Sequence, residues 1–143
     1  MRLSIFSDYA LRVLMHAALS RPRLATVEGA AEAFGISRNH LSKVVHQLSQ
    51  QGFLATRRGI GGGFTLALPT EEIVLGEVIR RTEGDESVIA CKTRENEPCA
   101  IFPACRLKTV LAEAAQAFYG VLDQYTLHDL VKRRPEMKEL LGI

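Results

Sequence analysis

Long apolar runs are missing from this sequence. No stretch approaches the roughly 20 residues that a membrane-spanning helix needs, and no apolar segment near the amino terminus suggests export. Both absences point to a protein of the reducing cytoplasm with no membrane partner. Cysteine is scarce as well: Cys91, Cys99 and Cys105 are the whole supply, and three thiols cannot all pair as disulfides. Net charge is only +2, so the overall balance names no partner. With 143 residues, 47% of them hydrophobic and 24% charged, the chain suits one compact soluble domain or a small domain with a dimerisation arm.

Acidic residues are rare in one half. Residues 1–69 hold eleven basic side chains, histidines included: Arg2, Arg12, His16, Arg21, Arg23, Arg38, His40, Lys43, His46, Arg57 and Arg58. Only Asp8, Glu28 and Glu32 oppose them. A surface that faces nucleic acid requires such a bias.

The spacing predicts a first helix over 7–20, capped by Ser7 or Asp8, with Ala10, Leu11, Leu14, Ala17 and Ala18 on one apolar face. Asp8 and Arg12 stand four apart and can pair; from the residues alone Asp8 is a cap or a member of that pair. Thr26 then caps Val27 to Phe34, with Ala30, Ala31 and Phe34 turned inward. Gly35 takes the exit turn, and Ser37 caps a third helix from Arg38 to Gln50. This is the pattern of a helix-turn-helix. On the third helix Leu41, Val44, Val45 and Leu48 form the inner side. Opposite them lie Asn39, Lys43, His46 and Gln50, flanked by Arg38, His40, Ser42 and Gln47, without one acidic residue. A merely solvated face would mix Glu with Lys, so this one reads as a base-reading face.

Two strands follow, Phe53–Arg58 and Phe64–Leu68, around Gly59-Ile60-Gly61-Gly62-Gly63. A hairpin with a glycine-rich tip and an arginine pair, placed after a helix-turn-helix, is a wing; its arginines can clamp phosphates or enter the minor groove. A phosphate-cradling nucleotide loop is excluded, because no Gly-Lys-Ser/Thr follows and the glycines do not open a helix. The candidate DNA contacts are therefore Ser37, Arg38, Asn39, His40, Ser42, Lys43, His46, Arg57, Arg58 and Gly59.

Leu75, Val78 and Ile79 mark a short fourth helix ending at Glu83-Gly84, and the polar stretch Asp85–Glu97 leads into the cysteines. Their spacing, Cys91-x7-Cys99-x5-Cys105, is wider than the close pairs of structural zinc sites. It better suits the corners of an iron–sulfur cluster, approached from several directions. Pro98 and Pro103 would stiffen the loop. The plainer alternative is three unrelated thiols, one or two of them buried. Beyond Cys105, Leu107, Leu111, Ala114, Phe118, Val121 and Tyr125 repeat at 4, 3, 4, 3, 4, a heptad seam that a partner subunit would cover. A two-fold dimer would also match palindromic half-sites on double-stranded DNA. Thr126 with Asp129 predicts a capped final helix through Arg134, before Pro135. The expected fold is mostly α, with a winged helix-turn-helix over 1–84, a cysteine loop over 85–105, and a dimerisation helix and tail over 106–143.

Taken together, these features resemble the winged-helix iron–sulfur transcription regulators, the family that includes NsrR and IscR. The resemblance rests on Phe6-Ser7-Asp8-Tyr9-Ala10-Leu11-Arg12, on Ile36-Ser37 with Leu41-Ser42-Lys43-Val44, on Arg58-Gly59 with Gly61-Gly62-Gly63, and on three cysteines before a long helix. IscR-type members carry a histidine ligand three residues after the last cysteine, where this chain has Lys108. The chain is thus more similar to the NsrR branch of nitric-oxide-sensing repressors. That likeness implies a cluster, 4Fe–4S rather than 2Fe–2S, held by Cys91, Cys99 and Cys105 and completed by Asp8 from the other subunit. It also implies a non-enzymatic homodimer that loses operator affinity when nitric oxide attacks the iron. An IscR-like reporter of iron–sulfur supply is the alternative, and an electron-transfer iron–sulfur protein a more distant one.

Overall fold

The computed structural model describes residues 3–84 and 99–143. Cys91, Pro98 and the polar stretch before them lie outside the described residues. The elements are α1 (Ile5–Ser20), α2 (Val27–Phe34), α3 (Arg38–Gln50), β1 (Leu54–Arg57), β2 (Gly63–Leu66), α4 (Leu75–Glu83), α5 (Arg106–Leu122), α6 (Leu127–Leu130) and α7 (Arg134–Leu141), with 3-10 turns at Thr70–Glu72 and Phe102–Ala104. The expected class holds: a mostly helical winged helix-turn-helix followed by a long helix.

α1 is the centre of the core. Its Ala10, Val13, Leu14, Ala17, Ala18 and Leu19 are buried, and α3 lays Leu41, Val44, Val45 and Leu48 into the same core. Each fully buried leucine contributes about 1.5–3 kcal/mol. β1 and β2 pair antiparallel from Leu54↔Leu66 to Arg57↔Gly63. Ala25 extends that ladder from the α1–α2 connection, donating to the Phe64 carbonyl at 2.9 Å and accepting from its N–H at 2.8 Å. The wing is thereby fixed to the helix-turn-helix.

α2 and α3 run over the expected residues. Thr26 accepts the Gly29 N–H at 3.0 Å, and Gly35 takes the left-handed conformation (φ 64°) that lets the chain turn between the helices. Ser37 stands at the cap of α3 but makes no side-chain cap hydrogen bond. α1 begins earlier than expected. Ser4 is its cap, accepting the Ser7 N–H at 3.1 Å. Asp8 is therefore not the cap; it lies within the helix and accepts from Arg12 Nε at 2.9 Å. His16 belongs to no DNA face: it is 2% exposed, and burial lowers its pKa, so it is a neutral core residue.

The carboxy-terminal reading needs one correction. The Thr126–Asp129 capping box forms, and hydrogen bonds from Lys132 and the Thr126 N–H hold the Asp129 carboxyl down to about 2. The helix it caps nevertheless stops at Leu130. Pro135 does not end that helix but sits in the first turn of α7, where its missing N–H costs nothing. Arg134 ties α7 to the end of α1 by donating to the Arg21 carbonyl at 2.8 Å.

Candidate DNA interface and cysteine turn

Packing decides which face of α3 points outward. With Leu41, Val44, Val45 and Leu48 in the core, Arg38, Asn39, His40, Ser42, Lys43 and His46 are exposed together, as is Ser37 just before them. Three of them have duties that the sequence did not reveal. Arg38 pairs with Glu28 of α2 at 2.8 Å, so its charge is partly countered. The Ser42 hydroxyl donates to the Arg38 carbonyl at 2.8 Å. The His40 ring lies against Tyr9 of α1, centroids 6.3 Å apart. Asn39, Lys43 and His46 make no side-chain hydrogen bond or ion pair among the described residues and carry the face's polar chemistry outward.

Arg57, Arg58 and Gly59 are exposed at the wing. The tip glycines divide into two jobs. Gly59 (φ 95°) and Gly61 (φ 72°) occupy backbone conformations that other residues rarely adopt. Gly62 and Gly63 are required for space: a Cβ would come within 2.4 Å of the Arg57 carbonyl oxygen at Gly62, and within 2.3 Å of the Ala25 carbonyl oxygen at Gly63.

Cys99 and Cys105 flank one tight turn. Phe102 N–H donates to the Cys99 carbonyl at 2.9 Å and Ala104 N–H to the Ile101 carbonyl at 3.0 Å, closing the backbone around Phe102–Ala104. Both thiols are free, Cys99 exposed and Cys105 half-buried at the start of α5. An open cleft of about 450 Å³ runs from Pro103 and Cys105 along Thr109, Val110 and Glu113. Lys108 places its Nζ 4.1 Å from the centre of the Phe102 ring, a cation–π contact. Two free, soft sulfur donors on a hydrogen-bonded turn beside an open cleft fit iron–sulfur ligation. Among the described residues Asp8, Cys99 and Cys105 do not come together in one metal-binding group. Asp8 is instead about half-exposed on α1, its carboxylate held by Arg12.

A polar network invisible in the sequence joins α4 to α1 and α3. The last turn of α4, just before the cysteine segment, holds Arg81, Thr82 and Glu83. The Glu83 carboxylate accepts the Ser4 N–H at 2.8 Å. Burial works against its charge, yet hydrogen bonds from Ser7 and Ser4 together lower its pKa. Ser7, fully buried, bonds Thr82 hydroxyl to hydroxyl at 2.7 Å. Arg81 donates to the Gln51 carbonyl at 2.8 Å while Gln51 donates to the Arg81 carbonyl at 3.0 Å, linking α4 to the exit of α3. One turn of chain thus grips both the start of α1 and the end of the outward-facing helix.

α5 has no buried residue. Leu107 and Val121, on its heptad seam, are 59% and 55% exposed. α5 meets the rest of the chain mainly through α4, where Arg80 grips Asp123 with two 2.7 Å hydrogen bonds and stacks on Tyr119.

The helix-turn-helix, the exposed polar helix and the glycine-tipped wing define a DNA-binding transcription regulator. The Rrf2 family, described as an iron-dependent transcriptional regulator, matches residues 3–133, and the chain belongs to that family. It is 45% identical over 142 residues to the HTH-type transcriptional regulator NsrR of Bacillus subtilis (strain 168), spanning 99% of this chain and 97% of that protein. Among solved structures, Staphylococcus aureus CymR is similar with a TM-score of 0.69 at 30% identity, over 89% of this chain and 95% of the other. T. potens IscR shares the fold with a TM-score of 0.70 at 24% identity, covering 93% and 88%. The chain is an NsrR-like Rrf2 regulator. Among the described residues no helix is long and apolar enough to cross a membrane.

Proposed function

We propose that this protein is a homodimeric repressor whose grip on DNA depends on an iron–sulfur cluster that nitric oxide destroys. The observation that carries the proposal is the pair of free thiols flanking the Phe102–Ala104 turn, with an open cleft beside Cys105. Cys99 and Cys105, with Cys91 from the preceding segment, would hold a 4Fe–4S cluster. Asp8 of the second subunit would complete the set, since among the described residues its half-exposed carboxylate does not join Cys99 and Cys105 in one group. When bound, the cluster supplies iron that nitric oxide attacks. The chain's own residues do the rest. Arg12 orients the Asp8 carboxylate by donating to it at 2.9 Å; as a hard, weak donor to iron it would be the ligand easiest to release. Ser4, Ser7, Thr82 and Glu83 tie the turn that enters the cysteine segment to the start of α1, and Arg81 with Gln51 ties the same turn to α3. Loosening the cysteine segment therefore disturbs the base-reading helix through hydrogen bonds already present.

The proposed division of labour is DNA contact over 1–84, cluster ligation over 85–105 and dimerisation from 106 onward. On DNA, Asn39, His40, Lys43 and His46 would approach base edges, while Ser37, Arg38, Ser42, Arg57, Arg58 and Gly59 would meet sugar and phosphate. The test is anaerobic purification with absorbance and native mass spectra. The expected result is a coloured dimer carrying one cluster per subunit, and a folded, colourless dimer for Cys91→Ala, Cys99→Ala or Cys105→Ala. A single variant that stayed fully loaded would remove that cysteine from the ligand set, and a colourless wild type would end the proposal.

A further inference from the structure

Ile60 is the most exposed apolar residue described: its accessibility is 108% of the reference value. Among the described residues it takes no part in the core. The tip is a closed turn in which Gly62 N–H donates to the Gly59 carbonyl at 2.9 Å. Gly61 takes the left-handed position of that turn, so Ile60 stands at the apex. Gly62 and Gly63 press against the Arg57, Gly59 and Ala25 carbonyls, and the Ala25–Phe64 bridge locks the base of the wing to the helix-turn-helix. The apex is therefore a rigid spike. Its side chain is β-branched and stiff at χ1, so little entropy is lost when it is buried. Arg57 and Arg58 precede it in the same hairpin, both exposed, and residues 54–68 contain no acidic side chain.

An apolar spike beside cations fits a narrow, negatively charged groove between apolar sugar walls. From this we infer that Ile60 is a minor-groove probe: the wing sets its arginines on the phosphates and inserts the Ile60 side chain between the sugar walls, against the base edges. The guanine 2-amino group projects into that groove and A·T pairs have no counterpart. Ile60 would thus prefer A·T-rich steps at the two flanks of the operator, a specificity distinct from that read by α3 in the major groove. This inference rests on the wing touching DNA, so the test separates the two.

The probe is a duplex selected from a random pool by the cluster-loaded wild-type protein, titrated by anisotropy at several salt concentrations. Flanking A·T pairs are replaced either by G·C or by inosine·C, which differ in the minor groove only by the 2-amino group. Wild type is expected to bind the inosine duplex several-fold tighter than the G·C duplex, by about the factor that one unfavourable base pair costs. Ile60→Ala should weaken binding about tenfold, as loss of one partly buried branched side chain does. Its salt slope should stay unchanged, because no ionic contact is lost, and the inosine preference should collapse. Ile60→Leu should restore most of both. Arg58→Ala should flatten the salt slope instead. If Ile60→Ala keeps wild-type affinity and preference while Arg58→Ala weakens binding, the wing touches DNA and the inference about Ile60 is wrong. If both variants bind like wild type, the wing reading fails and takes the inference with it.

Discussion

Asp8 carries two roles that make different demands. It pairs with Arg12 on its own helix at 2.9 Å, an exposed i,i+4 bridge worth only about 0.3–0.5 kcal/mol. As a cluster ligand it would act between subunits. Asp8→Asn and Asp8→Ala should therefore leave stability almost unchanged while shifting the visible absorbance of the loaded protein and its rate of reaction with nitric oxide. Spectra and rates identical to wild type would reduce Asp8 to the ion pair. At this scale, legibility depended on whether a residue's role follows from its type. The outward polar face of α3 could be read directly, because a run without acids opposite an apolar stripe is visible in the residues themselves. Ser4, Thr82 and Glu83 could not, because their roles come from a contact across 75 or more residues. His16 was misread for the same reason: its charge is decided by burial, which the packing of α1 imposes.

Among the elements, α5 is the one the single chain leaves incomplete. A 17-residue helix with an apolar seam and no buried residue has surface to cover, and the seam continues the exposed apolar residues Ile101 and Leu107 beside the cysteine turn. A second copy packed along it would shield the cluster from water as well as set the spacing of the two recognition helices. Leu111→Glu combined with Phe118→Glu should give a monomer by sedimentation at micromolar concentration, with far-UV circular dichroism of the winged domain retained. A dimer that survived both charges would move the interface off the seam. The helices that could be delimited from sequence were those with chemical punctuation at both ends: Thr26 and Gly35 bracket α2, and Gly52 follows α3. Pro135 misled because proline both stops one helix and starts another. The first turn of α1 was missed because Ser4, Ser7 and Asp8 are all competent caps, and only burial of Ser7 against Thr82 selects among them.

Over the whole molecule, α4 is the element that joins the start of α1 to the exit of α3. The last turn of α4 touches the start of α1 and locks onto the exit of α3, and in sequence it directly precedes the cysteine segment, so under the proposed function this turn would carry a change at the cluster to the DNA face. The direct measurement is operator affinity and cluster absorbance followed together, in one anaerobic sample of the loaded dimer, as nitric oxide is added stepwise. Affinity for a selected duplex should fall in step with the absorbance, with Cys105→Ala protein binding weakly from the start. Full operator affinity persisting after the absorbance is gone would contradict cluster-controlled binding.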